Sequence, residues 1–326
     1  MVTAIEPLLR EQLIDRRQKL EIAAGNFIEA TEISRLLAEV DDALRRMEKG
    51  TYGLCDFCND PVETERLIAN PLTRLCIDHL SPKEQRALED DLELAARIQT
   101  GLLPLPSQKI DGWEIAYHYQ PAGIVSGDYC DLISSDDQSL LFVLGDVSGK
   151  GVAASMLMAH LQAMFRTLIS INLPLEEIVE RASRVFCEST LPTHYATLVC
   201  GKANTSGGIE ICNAGHLPPM LLRQGAVRSI EATGLPVGIF GNEHFSVDRF
   251  QMEKGDTLFL YTDGLSETRD GAGSEYGVER LSSLLRENGG LAPKALLATC
   301  VDQVDTFRIP NSLADDLTLM AIQRVH

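Results

Sequence analysis

The sequence predicts an α+β protein with a helical, cysteine-bearing N-terminal part. Three observations carry this. Short apolar and alternating segments crowd between residues 113 and 262. Helical patterns gather around them rather than alternating with them one by one, which speaks against a doubly wound parallel sheet. Ahead of residue 107, helical periodicity dominates and is interrupted by two cysteine knuckles. A chain of 326 residues buries a large core and is long enough for two or three domains.

The formal net charge is −18. That disfavours non-specific nucleic-acid binding, which needs a basic face. It suits cation sites, whose carboxylates are counted without their ions. No run of about 18 apolar residues predicts a membrane span, and Met-Val-Thr-Ala-Ile-Glu does not read as a signal peptide. Of eight cysteines, three stand with a histidine at metal spacing and the rest scatter through apolar segments. A reducing cytoplasm is expected.

Taken in order, residues 5–24 read as a helix, with Ile5, Leu8, Leu9, Leu13 and Leu20 apolar. Gly25-Asn26 signals a turn. A second helix puts Ile33, Leu36, Leu37, Val40, Leu44 and Met47 on one stripe and stops at Gly50. The pair reads as an antiparallel hairpin, its stripe serving mutual cover or a dimer. Cys55-x2-Cys58, seventeen residues, then Cys76-x2-His79 come next. Three thiolates and one imidazole at that spacing predict a closed, structural zinc site that stabilises an otherwise small segment. Ser81 and Pro82 read as the cap and first position of a third helix. In it Leu88, Leu92, Ala95, Gln99 and Leu102 predict a coiled-coil seam of about two heptads, with Leu94 and Ile98 to one side. Pro104 and Pro106 end it.

Beyond Gly112, strands are predicted over residues 113–119 and 129–133. The remainder of the chain is organised around the stretch Leu140 to Gly151. Leu140 to Leu144 read as a buried strand ending at Gly145, with Asp146 at its tip; a glycine turn and a helix from Val152 to Ile169 come next. A helix over 175–189 is expected, then strands over 195–201, 209–213, 220–223, 227–230, 245–252 and 257–262. Helices over 278–287 and 294–307 and a last strand over 317–322 complete the chain.

Acidic residues recur at strand ends: Asp128 with Asp131, Asp146, Asp263 and Asp315-Asp316. Singly each is a common turn; as an ordered set they suit Mg²⁺ or Mn²⁺ better than zinc. Four carboxylates from distant segments suit two such ions about 3.5–4 Å apart with an activated bridging water. Gly145 to Lys150 is no phosphate-binding P-loop, because Gly151 stands where Ser or Thr is required. Lys150 reads as a solvated or ion-paired lysine. Ser148 and Ser155 have no partners for nucleophilic catalysis. His216, in Asn213-Ala-Gly-His-Leu-Pro-Pro219, reads as a hydrogen-bonded hairpin residue or as a proton donor to a leaving seryl oxygen. Gly234 to Gly238 reads as a rigid loop.

Gly127-Asp128-Tyr129, Gly145-Asp146-Val147-Ser148-Gly149-Lys150-Gly151, Asn213-Ala214-Gly215-His216, Thr262-Asp263-Gly264 and Asp315-Asp316-Leu317-Thr318 resemble the ordered motifs of the metal-dependent (protein phosphatase 2C-like) Ser/Thr phosphatases. The likeness is to the stage II sporulation phosphatase and stress-response regulator branch, over about residues 95–326. It implies a four-layer α-β-β-α sandwich and two Mn²⁺ or Mg²⁺ ions. It implies Asp128, Asp146, Asp263 and Asp315 as ligands, with the Val147 carbonyl as a further candidate. Asp316 stands as the alternative at the last station and Asp131 as a lesser candidate. The arginine that holds phosphate in the eukaryotic branch has no clear counterpart. The implied substrate is a phosphoserine or phosphothreonine on an anti-sigma-factor antagonist, and dimer contacts of the Ala96-Arg97-Ile98-Gln99 helix are implied to set activity.

The stretch from Met47 to His79 resembles the zinc finger of the DksA/TraR family, a likeness covering about residues 30–80; members of that family act on RNA polymerase through a neighbouring helical hairpin. Here His79 replaces the usual fourth Cys, and the hairpin is short, with Ala-Ala-Gly-Asn rather than an acidic tip. The expected organisation is a helical hairpin (1–50), a zinc finger (51–80), a coiled-coil linker helix (81–106) and a phosphatase domain (107–326), forming a cytoplasmic homodimer. The alternative is an RNA polymerase-binding regulator whose phosphatase fold is a degenerate scaffold.

Overall fold

The computed structural model describes residues 2–24, 30–80, 82–134, 139–171, 173–308 and 313–326. The Gly25-Asn26 turn and the Ser81 cap lie outside the described residues. The chain divides into two compact units, Met1–Asp91 and Leu92–His326.

In the first unit, α1 (Val2–Ala24) pairs with α2 (Ala30–Glu48). Leu9 and Leu13 of α1 and Val40, Ala43 and Met47 of α2 are buried together. Full burial of each leucine contributes about 2 kcal/mol. The same cluster takes in Tyr52, Cys55, Val62, Leu67 and Cys76, so the hairpin and the cysteine segment share one core. A short helix, α3 (Thr64–Ala69), lies between the knuckles and was not legible as a periodic stretch. Arg74 donates from Nε to Asp56 (2.6 Å) and reaches Asp42 of α2 at 3.2 Å.

In the second unit, eleven strands among the described residues form two antiparallel sheets. One has the order β1-β2-β11-β10-β7-β8 and the other β3-β4-β5-β6-β9. The first comprises β1 (Ser107–Ile110), β2 (Trp113–Gln120), β7 (Met220–Arg223), β8 (Ala226–Ser229), β10 (Thr257–Tyr261) and β11 (Leu317–Arg324). The second comprises β3 (Asp128–Ser134), β4 (Leu140–Val147), β5 (Ala196–Ala203), β6 (Gly208–Ala214) and β9 (Asp248–Gln251).

Period-two alternation builds the layers. Along β4, Leu140, Phe142 and Leu144 face the other sheet, meeting Leu258 and Leu260 of β10 and Met320 and Ile322 of β11. The intervening Leu141 and Val143 pack under α5 (Gly151–Ile169) and α6 (Leu175–Ser189), among Met158, Leu161, Phe165, Ile178 and Phe186. On the opposite side Phe259, Tyr261, Leu317 and Leu319 pack against Leu281, Leu285, Leu296 and Cys300 of α8 (Gly277–Asn288) and α9 (Pro293–Phe307). The result is the expected α-β-β-α sandwich. By length and composition α5 is apolar enough to cross a membrane, yet its Met158, Leu161, Phe165 and Ile169 are buried in this core.

Three details bearing on the site differ from the sequence reading. The strand at 140 does not end at Gly145 but runs through Val147, so Asp146 sits within the β4 ladder, paired with Asp128 and Thr197. The 213–219 segment is no hairpin, since it crosses from β6 in one sheet to β7 in the other. In α4 (Pro82–Leu102), the Gln99 position of the expected seam is buried within its own chain, while Leu94 and Ile98 are 48% and 59% exposed. A buried amide has to find backbone partners, and Gln99 finds them at Ser126: its Nε2 donates to the Ser126 carbonyl (2.7 Å) and its Oε1 accepts from the Ser126 N–H (2.9 Å).

Candidate metal centres

The four acidic stations meet at one end of the sandwich because of strand direction. Asp128 opens β3 and pairs in register with Asp146 near the end of antiparallel β4. Asp263 comes just after β10 and opens a short helix, α7 (Asp263–Ser266); Asp315 precedes β11. The register Tyr261↔Leu319 sets the residues after β10 beside those before β11. Gly264 permits the close approach: a Cβ there would stand 2.0 Å from the Asp316 carbonyl oxygen.

Asp128 is fully buried, and its Oδ2 accepts from the Thr262 hydroxyl (3.0 Å) and the Thr318 hydroxyl (2.5 Å). Burial first, and then the Asp146 charge, raise its carboxyl well above the ordinary range. Burial, then Asp263 and Asp315, push Asp146 up to about 7. Asp263 is raised by burial and by Asp315. A cation faces this set: Lys150 Nζ lies 2.8 Å from Asp315 Oδ2 and is itself raised by that bond. Desolvated, mutually repelling oxygens are the donor chemistry that a hard divalent cation relieves.

Asp315 and Asp316 part ways here. The Asp315 carboxylate is 41% exposed and points to Lys150. Asp316 accepts from the backbone N–H groups of Ala122 and Gly127, both at 2.8 Å, and so pins the loop that delivers Asp128. Asp131 does not join the set. Alternation sends it to the face opposite Asp128, where it is 0% exposed and takes two hydrogen bonds from the Arg166 guanidinium (2.8 and 2.6 Å). The Val147 carbonyl oxygen lies 3.1 Å from where a Cβ on Gly127 would stand, so a side chain at that loop position would crowd it.

A cleft at this end is lined by Asp146, Asp263, Glu267, Tyr195, Thr197 and His216, among others. His216 is 6% exposed; its Nδ1 lies 2.8 Å from the Thr197 hydroxyl and its Nε2 3.1 Å from the Tyr261 carbonyl. Burial lowers its pKa to about 4. With the imidazole held neutral and both nitrogens engaged, the geometry favours the hydrogen-bonded, structural reading of His216 over the proton-donor one. Sequence reasoning missed Glu267, the two threonine hydroxyls on Asp128 and the Gln99 clamp. The threonines were signalled by their place inside the Thr-Asp-Gly and Asp-Asp-Leu-Thr motifs; Gln99 was signalled by being polar in an apolar row and by its place in the Ala96-Arg97-Ile98-Gln99 segment.

The other centre is local. Cys55, Cys58, Cys76 and His79 place their ligand atoms within 4.8 Å of one another, a grouping that could hold a metal ion. Cys58 Sγ and Cys76 Sγ are 3.7 Å apart, close to the roughly 3.8 Å edge that zinc–sulfur bonds of about 2.3 Å give a tetrahedron. Cys76 Sγ lies 3.1 Å from His79 Nδ1. The donor set fits zinc. Phe57, 79% exposed, stacks on the His79 ring at 5.2 Å.

Residues 136–325 match the family model described as Stage II sporulation protein E. The chain belongs to that family. Residues 50–78 also match the prokaryotic dksA/traR C4-type zinc finger, a match that stops one residue short of His79. Among relatives, the chain is 28% identical over 264 residues to Protein IcfG of Synechocystis, covering 72% of this chain and 41% of that one. It thus spans less than half of that relative. It is 25% identical over 245 residues to the phosphoserine phosphatase RsbU of Bacillus subtilis (74% and 72% covered). The structure of the RsbU and RsbW domains of Rv1364c from Mycobacterium tuberculosis superposes with a TM-score of 0.58 at 29% identity, covering 68% of this chain and 63% of that one. The second unit is thereby a PP2C-type phosphatase domain of the stage II sporulation family, preceded by a dksA/traR-type finger.

Proposed function

We propose that this protein is a cytoplasmic serine/threonine protein phosphatase that hydrolyses phosphoserine or phosphothreonine on a bacterial regulatory protein of the anti-sigma-factor antagonist type. The observation that carries the reading is the convergence of Asp128, Asp146, Asp263 and Asp315 at one end of the sandwich, in a chain of this family. The phosphoserine phosphatase RsbU among the relatives supports the substrate class.

Two Mn²⁺ or Mg²⁺ ions, held by these four carboxylates and the Val147 carbonyl, would supply an activated water for in-line attack on phosphorus and draw off phosphoryl charge. The chain's own residues prepare that site. Thr262 and Thr318 fix the Asp128 carboxylate through one oxygen. Asp316 holds the loop before Asp128 and is a positioning residue rather than a ligand. Lys150 offsets part of the negative charge at Asp315.

We assign residues 1–50 to a helical hairpin, 51–80 to the finger, 81–106 to the linker helix and 107–326 to the catalytic domain, with one structural zinc on Cys55, Cys58, Cys76 and His79. The hairpin and linker are assigned a dimerising, regulatory role; light scattering of a Leu88→Lys, Leu92→Lys variant tests it, and an unchanged dimer removes the seam. The test of the activity is Mn²⁺-dependent phosphate release from phosphoserine peptides. A purified protein that releases none in Mn²⁺ or Mg²⁺ refutes it. The finger match favours a second reading, polymerase binding through the first unit. Pull-down with RNA polymerase core enzyme decides it, and absence of a complex removes it.

A further inference from the structure

We propose that His216 is a positioning residue, a cross-sheet strut that sets the separation of Asp146 and Asp263 and thereby the affinity for divalent cation. The proposal rests on the reading of the acidic cluster as a cation site.

The imidazole joins two strands from different sheets. Thr197 lies on β5 in the five-stranded sheet and is the register partner of Asp146. Tyr261 is the last residue of β10 in the six-stranded sheet, two positions before Asp263. His216 spans the two, at 2.8 Å from the Thr197 hydroxyl and 3.1 Å from the Tyr261 carbonyl. A carbonyl only accepts, so Nε2 carries the proton and Nδ1 accepts from the hydroxyl. One ring thus ties the strand beside Asp146 to the strand that delivers Asp263.

The ring has little freedom to drift. Its backbone N–H donates to Asn213 Oδ1 at 2.8 Å. Gly215, at φ +65°, turns the chain between the sheets, and a Cβ there would stand 2.6 Å from the Pro236 ring. Burial to 6% exposure removes water as a competing partner.

The need for a tie is electrostatic. Asp146 and Asp263 repel each other across the cleft, and Asp263 opens a short helix just beyond β10, where the backbone yields more easily than in the β4 ladder that holds Asp146. Without a fixed span the two carboxylates relax apart, and a cation then has to draw them together at a cost in binding. Groups that orient metal ligands from behind typically govern about 10–100-fold in metal affinity.

The experiment is Mn²⁺ titration calorimetry on the full chain, comparing wild type, Thr197→Val and His216→Gln. Thr197→Val removes only the hydroxyl that meets Nδ1; His216→Gln keeps an amide that can donate toward Tyr261. Each is expected to weaken Mn²⁺ binding by about 10-fold. The double variant is expected to lose less than the product of the two, because both act on one bond. Zinc content should stay unchanged. Phosphatase turnover at saturating Mn²⁺ should return to the wild-type level, a split that loose packing alone would not produce. If His216→Gln fails to fold, Thr197→Val still decides the matter. A wild type that binds Mn²⁺ with variants that bind equally well overturns the strut alone. A wild type that binds no Mn²⁺ overturns the cation-site reading and the strut with it.

Discussion

The two candidate metal centres are built in opposite ways. The cysteine centre draws its ligands from 25 consecutive residues and brings them within 4.8 Å of one another. The acidic centre draws on β3, β4, α7 and the approach to β11, spanning residues 128 to 315. Its carboxylates repel, and it is held by threonine hydroxyls, backbone amides and one lysine. A soft, closed, local set is suited to making structure. A hard, strained, long-range set depends on the whole fold being right, and is suited to chemistry on a water molecule.

The sharpest way to separate the two is to break each in turn. Asp263→Ala should lower Mn²⁺-dependent phosphatase activity by more than about 100-fold while leaving bound zinc at the wild-type level by metal analysis. Retained activity would dissolve the distinction. Next in size, Cys58→Ser or zinc chelation should unfold the segment around residues 51–80, read as rapid limited proteolysis there, because a structural zinc site is the folding energy of so small a segment. Persistence of a protease-resistant finger without zinc would show that the shared apolar core suffices.

A smaller effect sharpens the acidic centre itself. Asp315→Asn should weaken Mn²⁺ binding by about 10-fold or more in calorimetry. Asp316→Asn retains one acceptor oxygen for two backbone N–H groups and should cost chiefly stability, about 1–3 kcal/mol, with Mn²⁺ affinity less affected. The reverse order would make Asp316 the ligand.

The smallest effect is in pH dependence. The Asp146 carboxyl is raised from 3.8 to about 7 in the fold. Between those values the folded, metal-free protein holds a proton that the unfolded chain has released. Its contribution to stability is therefore full below about 3.8 and lost as pH rises through about 7. Thermal melts of metal-free protein should show this decline, and Asp146→Asn or added Mn²⁺ should flatten it. A metal-free slope that is the same in wild type and Asp146→Asn would mean that Asp146 is not held protonated.

The legibility of the sequence divides along the same line. Cysteine spacing is a local code, so the finger could be read directly. The sandwich showed in alternation, as along Leu140 to Leu144, but a two-residue period does not say where a strand stops, and β4 ran on through Asp146. Alternation also explains why Asp131, three residues from Asp128, belongs to a different environment. The coiled-coil seam misled at Gln99 because helical spacing identifies a face without saying whether a partner or the chain's own loop covers it. β1 was missed because Ser107-Gln-Lys-Ile110 has little apolar content and forms an edge. The His216 bridge joins segments from both sheets, and no local pattern carries that information.

On the proposed reading, four distant aspartates gather around divalent cations while the cysteine knuckles hold zinc. Anomalous diffraction from Mn²⁺-soaked crystals, collected at the manganese and zinc edges, tests it most directly. Manganese peaks are expected among Asp128, Asp146, Asp263 and Asp315, and a zinc peak enclosed by Cys55, Cys58, Cys76 and His79. Well-ordered aspartates with no manganese between them would contradict it.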